Sequence, residues 1–418
     1  MAESIYVYVD LSGEAQLAGR LWIHSKGNKE SASFEYDKAW LGLPERFSLD
    51  PALSLGEGSF HTTPGKALFG AIGDSAPDRW GRTLVQRAAR LDANEKHEPV
   101  RHLREVDYLL RVNDLARQGA LRFSLSEGGE FLANNKLARI PPRIQLPKLL
   151  HAADTIYTHS ETAEDLKLLL APGSSLGGAR PKGSIWDHNS QLLLAKFPRK
   201  DDTFDEVAWE ATTLSLAGKA GIQTPQTKLI EVSDRHVLLL DRFDRKGSSR
   251  IPFLSGMSML GALDHETRSY LELVDAINQF GAHPKKDIQE LWRRIVFTVL
   301  VTNIDDHMRN HGFLYQGTNG WILSPVYDIN PVPADIAPRI LRSSINLDDN
   351  SATIENALDV YDMFGLSYSD AKQIIKEVSS VTADWRKEAV KFGLTGNAID
   401  RLETAFEHDE LRAAEKIF

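Results

Sequence analysis

A short polar segment near residue 305 carries the side chains best suited to chemistry. The apolar run 298–301 leads directly into residues 302–312, which are dense in Asp, Asn and His. Placing such groups beside a desolvated segment costs stability, so their presence there indicates a function. Asp305 and Asn310 are five residues apart, as are the base and the metal ligand of the kinase loop H-R-D-x-x-x-x-N. The spacing predicts that Asp305 is a catalytic base and that Asn310 is a magnesium ligand.

A second candidate metal ligand, Asp328, follows eighteen residues after Asn310. It ends the stretch L-S-P-V-Y-D, which we interpret as an apolar strand that closes on one carboxylate. Mg²⁺ prefers oxygen ligands, with few from the protein and the rest from water and phosphate. Asn310 and Asp328 are therefore the predicted Mg²⁺ pair, with ATP as the phosphate source.

Two other interpretations of the polar segment stay open at this point. His307 and His311 are four residues apart, so a helical backbone would place both on one face as the metal ligands of a hydrolase. Alternatively, the segment is a structural cluster of paired Asp and His residues.

A glycine-rich segment, P-G-S-S-L-G-G-A-R-P-K, spans residues 172–182. Glycine lets the backbone approach phosphate oxygens closely, so that successive N–H groups can surround them. The spelling matches neither common phosphate-loop pattern, and a plain flexible turn is the alternative. The predicted ATP-binding residues here are Gly177, Gly178, Ala179, Arg180, Pro181 and Lys182.

Lys196 lies among apolar residues in the strand predicted over 192–197. A buried, unpaired ammonium group is costly, whereas kinases use such a lysine to contact phosphates and pair it with a glutamate of the next helix. Glu206 and Glu210 lie one turn apart on the helix predicted over 205–220, and Glu210 is the predicted partner. An edge-strand lysine that reaches solvent is the alternative.

The order of these features favours an α+β, bilobal protein-kinase-like fold. We expect an N-terminal β-rich subdomain over 1–110, a nucleotide-binding region like a kinase N-lobe over 145–245, and a helical C-terminal lobe with the catalytic loop over 246–418. Strands are predicted at 5–9, 17–23 and 33–36. Pro77-Asp78 precede a predicted helix, and periodicity predicts further helices at 270–280, 291–301, 354–364, 369–381, 383–392 and 398–406.

Composition excludes several classes of site. The 418 residues are 42% hydrophobic and include no cysteine, which rules out disulfides and thiolate metal sites and fits a cytoplasmic location. No apolar run is long enough to cross a membrane. The net charge of −9 argues against non-specific nucleic-acid binding by bulk charge.

The spelling of several segments resembles the HipA family of bacterial toxin kinases. These segments are S-L-G-G-A-R-P-K at 175–182, D-R-F-D-R at 241–245, N-I-D-D-H-M-R-N at 303–310 and Y-D at 327–328. In addition, P-D-R-W-G-R at 77–82 resembles the N-terminal subdomain of the family. The joint occurrence of these motifs, spread over most of the chain, makes the resemblance specific.

The resemblance implies a cytoplasmic serine/threonine protein kinase that uses ATP and Mg²⁺ and is the toxin of a toxin–antitoxin pair. Its partner would be a helix-turn-helix antitoxin, which would make the main contact with operator DNA. Its protein substrate would be an aminoacyl-tRNA synthetase, with glutamyl-tRNA synthetase as the first expectation.

The family's roles carry over to matching positions of this sequence. Asp305 corresponds to the catalytic base, Asp328 to the metal ligand and Lys196 to the phosphate-contacting lysine. Ser175 aligns with the serine that family members autophosphorylate, and the adjacent Ser174 is the alternative. The remaining matched positions are His307 and Asn310 of the nucleotide and magnesium site, and Asp241, Arg242 and Phe243 of the adenine hinge.

Two further functions use the same fold. A small-molecule phosphotransferase would employ the same base, metal ligands and lysine. A pseudokinase would act only as the partner of an antitoxin, although all the chemical residues are present.

Overall fold

A computed structural model describes residues 3–27, 29–133, 140–173, 178–347 and 349–417 of the protein. The fold is α+β, as predicted. The chain forms two compact units. Unit 1 comprises Met1–Asp201 and Glu231–Leu254, and unit 2 comprises Asp202–Ile230 and Ser255–Phe418.

In chain order the strands are β1 (Glu3–Leu11), β2 (Glu14–Lys26), β3 (Lys29–Tyr36), β4 (Phe60–His61), β5 (Leu121–Ser124), β6 (Lys182–Trp186), β7 (Leu192–Lys196), β8 (Thr227–Val232), β9 (Arg235–Asp241), β10 (Arg245–Lys246), β11 (Ser249–Arg250), β12 (Phe253–Ser255), β13 (Gly312–Tyr315) and β14 (Trp321–Leu323). The helices are α1 (Lys38–Gly42), α2 (Gly70–Asp74), α3 (Arg79–Glu95), α4 (Glu105–Arg111), α5 (Leu146–Tyr157), α6 (Ala163–Gly173), α7 (Glu206–Lys219), α8 (Gly256–Met259), α9 (Tyr270–Phe280), α10 (Pro284–Leu300), α11 (Ile354–Asp359), α12 (Tyr368–Ala383), α13 (Trp385–Lys391), α14 (Asn397–Asp400), α15 (Glu403–Phe406) and α16 (Asp409–Lys416).

Unit 1 begins with an antiparallel sheet of order β4-β3-β2-β1-β5. Ile5, Val7 and Val9 of β1 are buried, because alternate side chains of a strand face the same side of the sheet. The three strands predicted in this region are confirmed, and each is longer than predicted. The predicted helix after Pro77-Asp78 is α3.

A second sheet of unit 1 holds the lysine predicted to contact phosphates. Its order is β6-β7-β9-β8, and the last residues of β8, 231–232, belong to this unit. β6 and β7 form an antiparallel hairpin in which Lys182 is directly opposite Lys196. β7 therefore lies in the interior of the sheet.

Unit 2 is mainly helical, as predicted. The predicted helix 270–280 is α9, and the predicted helix 291–301 lies within α10, which begins earlier because Pro284 suits the first turn of a helix. Aromatic rings form part of the core: Trp385 stacks on Phe406 with centroids 4.7 Å apart, and Trp209 contacts both. Among the helices described in either unit, none is long and apolar enough to span a membrane.

Candidate active site

The predicted catalytic loop begins where α10 ends. The C-terminal half of α10 is buried, so the helix fixes the start of the loop. Thr302 then adopts a left-handed backbone with φ of 53°, which is costly for a β-branched residue. Its hydroxyl donates to the Ala405 carbonyl at 2.6 Å, and its carbonyl accepts from the Val332 N–H at 3.1 Å. These contacts hold the chain in the turn that leads to Asp305.

Asp305 and Asp306 lie in opposite environments. The side chain of Asp305 is 70% exposed, whereas Asp306 is buried. Arg342 Nε lies 3.3 Å from Asp305 Oδ1, but an exposed ion pair of this kind holds only weakly. The loop therefore presents one carboxylate where a substrate hydroxyl can reach it, which a general base requires.

Asp306 anchors the loop. The Tyr270 hydroxyl donates to Asp306 Oδ2 at 2.6 Å, and His311 Nε2 lies 3.1 Å from the same oxygen. Burial alone would raise the pKa of Asp306, but His311 and Tyr270 outweigh it and hold that pKa below its ordinary value. Burial, reinforced by Asp306, raises the pKa of Tyr270 well above its ordinary value. An Asp306 carboxylate held in this way is unsuited to accept a substrate proton.

Asn310 and Asp328, the predicted magnesium ligands, lie in the same unit and are connected through Tyr327. The Tyr327 hydroxyl donates to the Arg309 carbonyl at 2.7 Å. This bond ties the residue before Asp328 to the residue before Asn310. The amide and carboxylate oxygens of the pair are ligands that Mg²⁺ prefers, so the donor set fits this ion.

The backbone at Asp328 is left-handed, with φ of 61°. The predicted strand ending at this residue is wrong, because β14 ends at Leu323 and Pro325 has no N–H to continue a ladder. The Thr213 hydroxyl donates to the Ile329 carbonyl at 2.7 Å, which fixes the chain just after the turn. Non-glycine residues in this conformation concentrate at functional sites.

The alternative of a helical His-x-x-x-His metal site is wrong. Met308–Asn310 form a single 3₁₀ turn, and His311 is engaged by Asp306. The described residues include no group of three or more His, Asp or Glu that could hold a metal. Within this described part, Nδ1 of His307 is buried and has no hydrogen-bond partner. A buried nitrogen of this kind is satisfied by a ligand or a water, which agrees with the predicted place of His307 in the nucleotide site.

Lys196 is the last residue of β7 in unit 1, and it is buried. Its neighbours across the sheet are Lys182 on β6 and Leu238 on β9. The alternative of an edge-strand lysine is therefore wrong. Glu210, its predicted partner, is buried on α7 of unit 2, and the pairing of these two residues stays a prediction.

The glycine-rich segment is only partly described. Gly178, with φ of 106°, has the left-handed backbone that favours glycine, and Ala179, Arg180 and Pro181 follow it. Ser174, Ser175 and Gly177 lie outside the described residues. The phosphate contacts predicted for the described residues 178–181 stay predictions.

Lys182 forms an ion pair that sequence reasoning did not predict, and its contact with ATP stays a prediction. Its Nζ lies 3.2 Å from Asp78 Oδ2, and both side chains are buried. The ammonium group thus forms a buried ion pair with α3 inside unit 1.

Arg242, a residue of the predicted adenine hinge, has a buried side chain. Its guanidinium group is 2% exposed and donates to both carboxylate oxygens of Asp244, at 2.7 and 2.6 Å, and to the Ala116 carbonyl at 2.8 Å. The side chain is thus committed to the interior, and only the backbone of Arg242 suits an adenine. Asp241 ends β9, and Phe243 packs near Phe253 with ring centroids 6.3 Å apart. Their adenine contacts stay predictions.

Sequence reasoning missed the buried ionic cluster behind this hinge. Asp244 also accepts from Arg245 and from the Gly119 N–H, both at 2.8 Å. Burial would raise the pKa of Asp244, but Arg242 and Arg245 hold it well below its ordinary value. The alternation D-R-F-D-R directly after apolar β9 was a usable signal, because charges next to a buried strand need partners.

Models of two families match the chain. The model described as the HipA-like C-terminal domain matches residues 174–385, and that of the HipA N-terminal domain matches residues 9–105.

Two curated relatives are similar to parts of the chain. The serine/threonine-protein kinase CtkA of Helicobacter pylori is 24% identical over 201 residues, which is 44% of this chain and 61% of CtkA. A putative kinase of Haemophilus influenzae is 23% identical over 151 residues, which is 32% of this chain and 43% of that protein. In both cases the chain spans less than two thirds of the relative's length.

A solved structure is similar over nearly the whole chain. It belongs to the complex of the Shewanella oneidensis MR-1 toxin–antitoxin system HipA, HipB and its operator DNA. The TM-score is 0.65 at 16% sequence identity, and the alignment covers 99% of this chain and 97% of that chain. The likeness shows that the two chains share a fold.

Proposed function

The chain belongs to the HipA family, and from this premise we propose that it is an ATP-dependent serine/threonine protein kinase and the toxin of a toxin–antitoxin pair. The observation that carries the proposal is the arrangement of residues 305–310. Asp306 is fixed inside, Asp305 is exposed beside it, and Asn310 follows at the kinase spacing.

In this proposal Asp305 orients the hydroxyl of a substrate serine and accepts its proton. Asn310 and Asp328 hold Mg²⁺, and Lys196 contacts the phosphates. Mg·ATP, when bound, supplies the transferable phosphoryl group. The kinase names of the two curated relatives support this assignment.

The first experiment is incubation of the purified chain with γ-labelled ATP, Mg²⁺ and cell lysate. A labelled protein band is expected. A labelled metabolite instead would favour a small-molecule phosphotransferase, and the absence of any transfer would favour a pseudokinase.

We propose an aminoacyl-tRNA synthetase as the protein substrate, with glutamyl-tRNA synthetase as the first to test. Phosphorylation of the purified synthetase, located by mass spectrometry, checks this. We also propose a helix-turn-helix antitoxin as partner, because the similar Shewanella HipA occurs with HipB and operator DNA. Co-purification with the product of a neighbouring short gene tests the partnership.

We propose that the kinase inactivates itself by phosphorylating Ser175. A phosphate adds about 1.5–2 negative charges and would repel the ATP phosphates that the glycine-rich segment is proposed to bind. Phosphosite mapping after incubation with Mg·ATP is expected to find Ser175, with Ser174 as the alternative. If S175D binds ATP as well as S175A does, this form of regulation is excluded.

A further inference from the structure

The motif P-D-R-W-G-R at 77–82 has no part in the chemistry proposed so far, yet its side chains contact the described end of the glycine-rich segment. Asp78 is the N-cap of α3, and its Oδ1 accepts from the Gly81 N–H at 2.6 Å. Its other oxygen, Oδ2, lies 3.2 Å from Lys182 Nζ. One carboxylate thus caps a helix and pairs with a buried ammonium group.

Trp80 makes two more contacts with the same segment. Its indole Nε1–H donates to the Lys182 carbonyl at 3.0 Å, and its backbone N–H donates to the Gly178 carbonyl at 3.4 Å. The N–H groups of a first helical turn have no partner inside the helix, so Gly178 satisfies one of them.

The other end of the segment lies against the same helix. A side chain at Gly173 would place its Cβ 2.7 Å from Leu84 Cδ1, 3.1 Å from Trp80 Nε1 and 3.2 Å from the Lys182 carbonyl oxygen. Gly173 and Lys182 therefore meet at Trp80, and the start of α3 holds both ends of the segment.

The hairpin register explains why Lys182 needs Asp78. Lys182 and Lys196 are directly opposite each other on β6 and β7, and like charges at opposed positions destabilise a sheet. Both are buried, where an unpaired ammonium group is most costly. Asp78 compensates the charge of Lys182 and so reduces the repulsion between the two opposed lysines.

We propose that Asp78 and Trp80 are positioning residues for ATP: they hold Gly173, Gly178 and Lys182, which are described residues at the two ends of the segment proposed to bind phosphates. Lys182 is the anchor of that segment and not a phosphate ligand. The inference rests on the proposed kinase function, because it assigns these residues to the phosphate end of the ATP site.

The test compares the binding of Mg·ATP with that of adenosine by calorimetry. Asp78→Asn keeps an oxygen for the helix cap but removes the charge, and Trp80→Phe removes the indole donor but keeps a ring. D78N removes the charged partner of a buried ammonium group, a change that typically costs a few kcal/mol, so it should weaken Mg·ATP binding by about 10- to 100-fold. W80F, which loses one hydrogen bond, should weaken it by about three- to tenfold. Adenosine binding should change by less than about twofold, since adenosine lacks the phosphates that the segment binds.

The matched control is Asp154→Asn, which breaks another ion pair of unit 1. Asp154 accepts from Arg235 at 3.0 and 2.5 Å, and its side chain is buried like that of Asp78. D154N should lower thermal stability and leave the preference for Mg·ATP over adenosine unchanged. The proposal fails if D78N and W80F weaken both ligands equally or resemble D154N. If D78N does not fold, W80F decides alone.

Variants of Lys182 provide a second test of the proposal. As an anchor, Lys182 should couple to Asp78, so that K182M and the double variant D78N/K182M lose a similar factor in Mg·ATP affinity. If K182M abolishes Mg·ATP binding while D78N leaves it unchanged, Lys182 is a phosphate ligand and its proposed anchoring role is wrong. A wild-type chain that binds no Mg·ATP would overturn the kinase function together with this inference.

Discussion

Two adjacent aspartates, Asp305 and Asp306, lie in opposite surroundings. Asp306 is held by Tyr270 and His311, whereas Asp305 is exposed beside a single weak ion pair. The kinase-like spacing to Asn310 predicts Asp305 as the base, and the exposure of its carboxylate is compatible with that prediction.

Replacing Asp305 by Asn should abolish phosphoryl transfer while ATP binding persists. The substitution keeps the size of the side chain but removes the group that accepts the proton, a loss of about 10²–10⁴-fold in rate. Transfer to a protein substrate and calorimetric ATP binding measure the two effects. Near-normal activity of D305N would move the role of base to another residue. Its partner variant D306N should instead lower the unfolding free energy, since it disrupts a buried network.

Replacing Asp328 by Ala should weaken Mg·ATP binding far more than adenosine binding, because only the first ligand brings a metal to the carboxylate. D328N is the companion variant, since Asn tolerates the left-handed backbone that Ala does not. Titration calorimetry of both ligands checks this. Equal losses for the two ligands would mean that Asp328 has a structural role alone.

Some residue roles were beyond sequence reasoning for a physical reason. Lys182 and Asp78 are 104 positions apart, and only the folded unit brings them together. Arg242 lies in a motif that suggests ATP binding, yet its side chain forms an ion pair with Asp244, two residues later. The exposed position of Asp305 and the burial of Lys196 could be predicted, because spacing within a loop and an apolar setting within a strand are local information; their catalytic roles stay predictions.

At the scale of elements, sequence periodicity identified several of the long helices but missed α5, α6 and the last helix, α16. α9 has the predicted limits, since its apolar positions and its Ser269 cap agree. α16 was not predicted, because its sequence D-E-L-R-A-A-E-K is mostly charged. Its N-cap is His408, an unusual capping residue. The cap depends on a neutral ring, since His408 Nε2 lies 3.1 Å from the Leu300 carbonyl while Nδ1 accepts from the Leu411 N–H at 3.3 Å.

The His408 cap should make stability depend on pH. Burial, reinforced by the charge of Arg339, lowers the pKa of His408 to about 4, against about 6.5 in the unfolded chain. The folded state thus favours the neutral ring, and its contribution is complete above about pH 6.5 and is lost as the pH falls through about 4. That shift corresponds to at most roughly 3 kcal/mol.

Urea unfolding of wild type and H408N at about pH 7 and pH 5 measures this effect. Asn caps a helix without titrating, so the difference between the two proteins should shrink as the pH falls. A difference that is constant with pH would show that His408 has the same pKa in the folded and unfolded states, which contradicts the prediction.

At the scale of the whole molecule, the order of motifs along the chain was the informative signal. Glycine-rich segment, strand lysine, helix glutamate, D-x4-N loop and final Asp follow one another as in kinases, and the α+β fold agrees. The division of the chain into two units was harder to predict from the sequence. Unit 1 takes in Glu231–Leu254, a return of the chain that depends on strand pairing distant in sequence.

The net charge of −9 leads to a prediction about DNA. The isolated chain should bind random duplex DNA more weakly than about 10⁻⁵ M at about 0.15 M salt, since its overall charge repels phosphates. Operator binding should require the antitoxin. Fluorescence anisotropy of a labelled duplex, with and without the partner, measures both. Micromolar binding by the chain alone, falling steeply with salt, would contradict the prediction.

The left-handed backbone at Asp328 also bears on how the proposed kinase activity would be lost in evolution. Glycine adopts this conformation without strain and asparagine tolerates it, and each is one nucleotide away from an aspartate codon. Either substitution would remove the carboxylate without straining the backbone. A single point mutation would therefore inactivate the proposed kinase and leave the protein folded. Genomes should therefore retain silent, intact copies of this kind, with Gly or Asn in place of this aspartate.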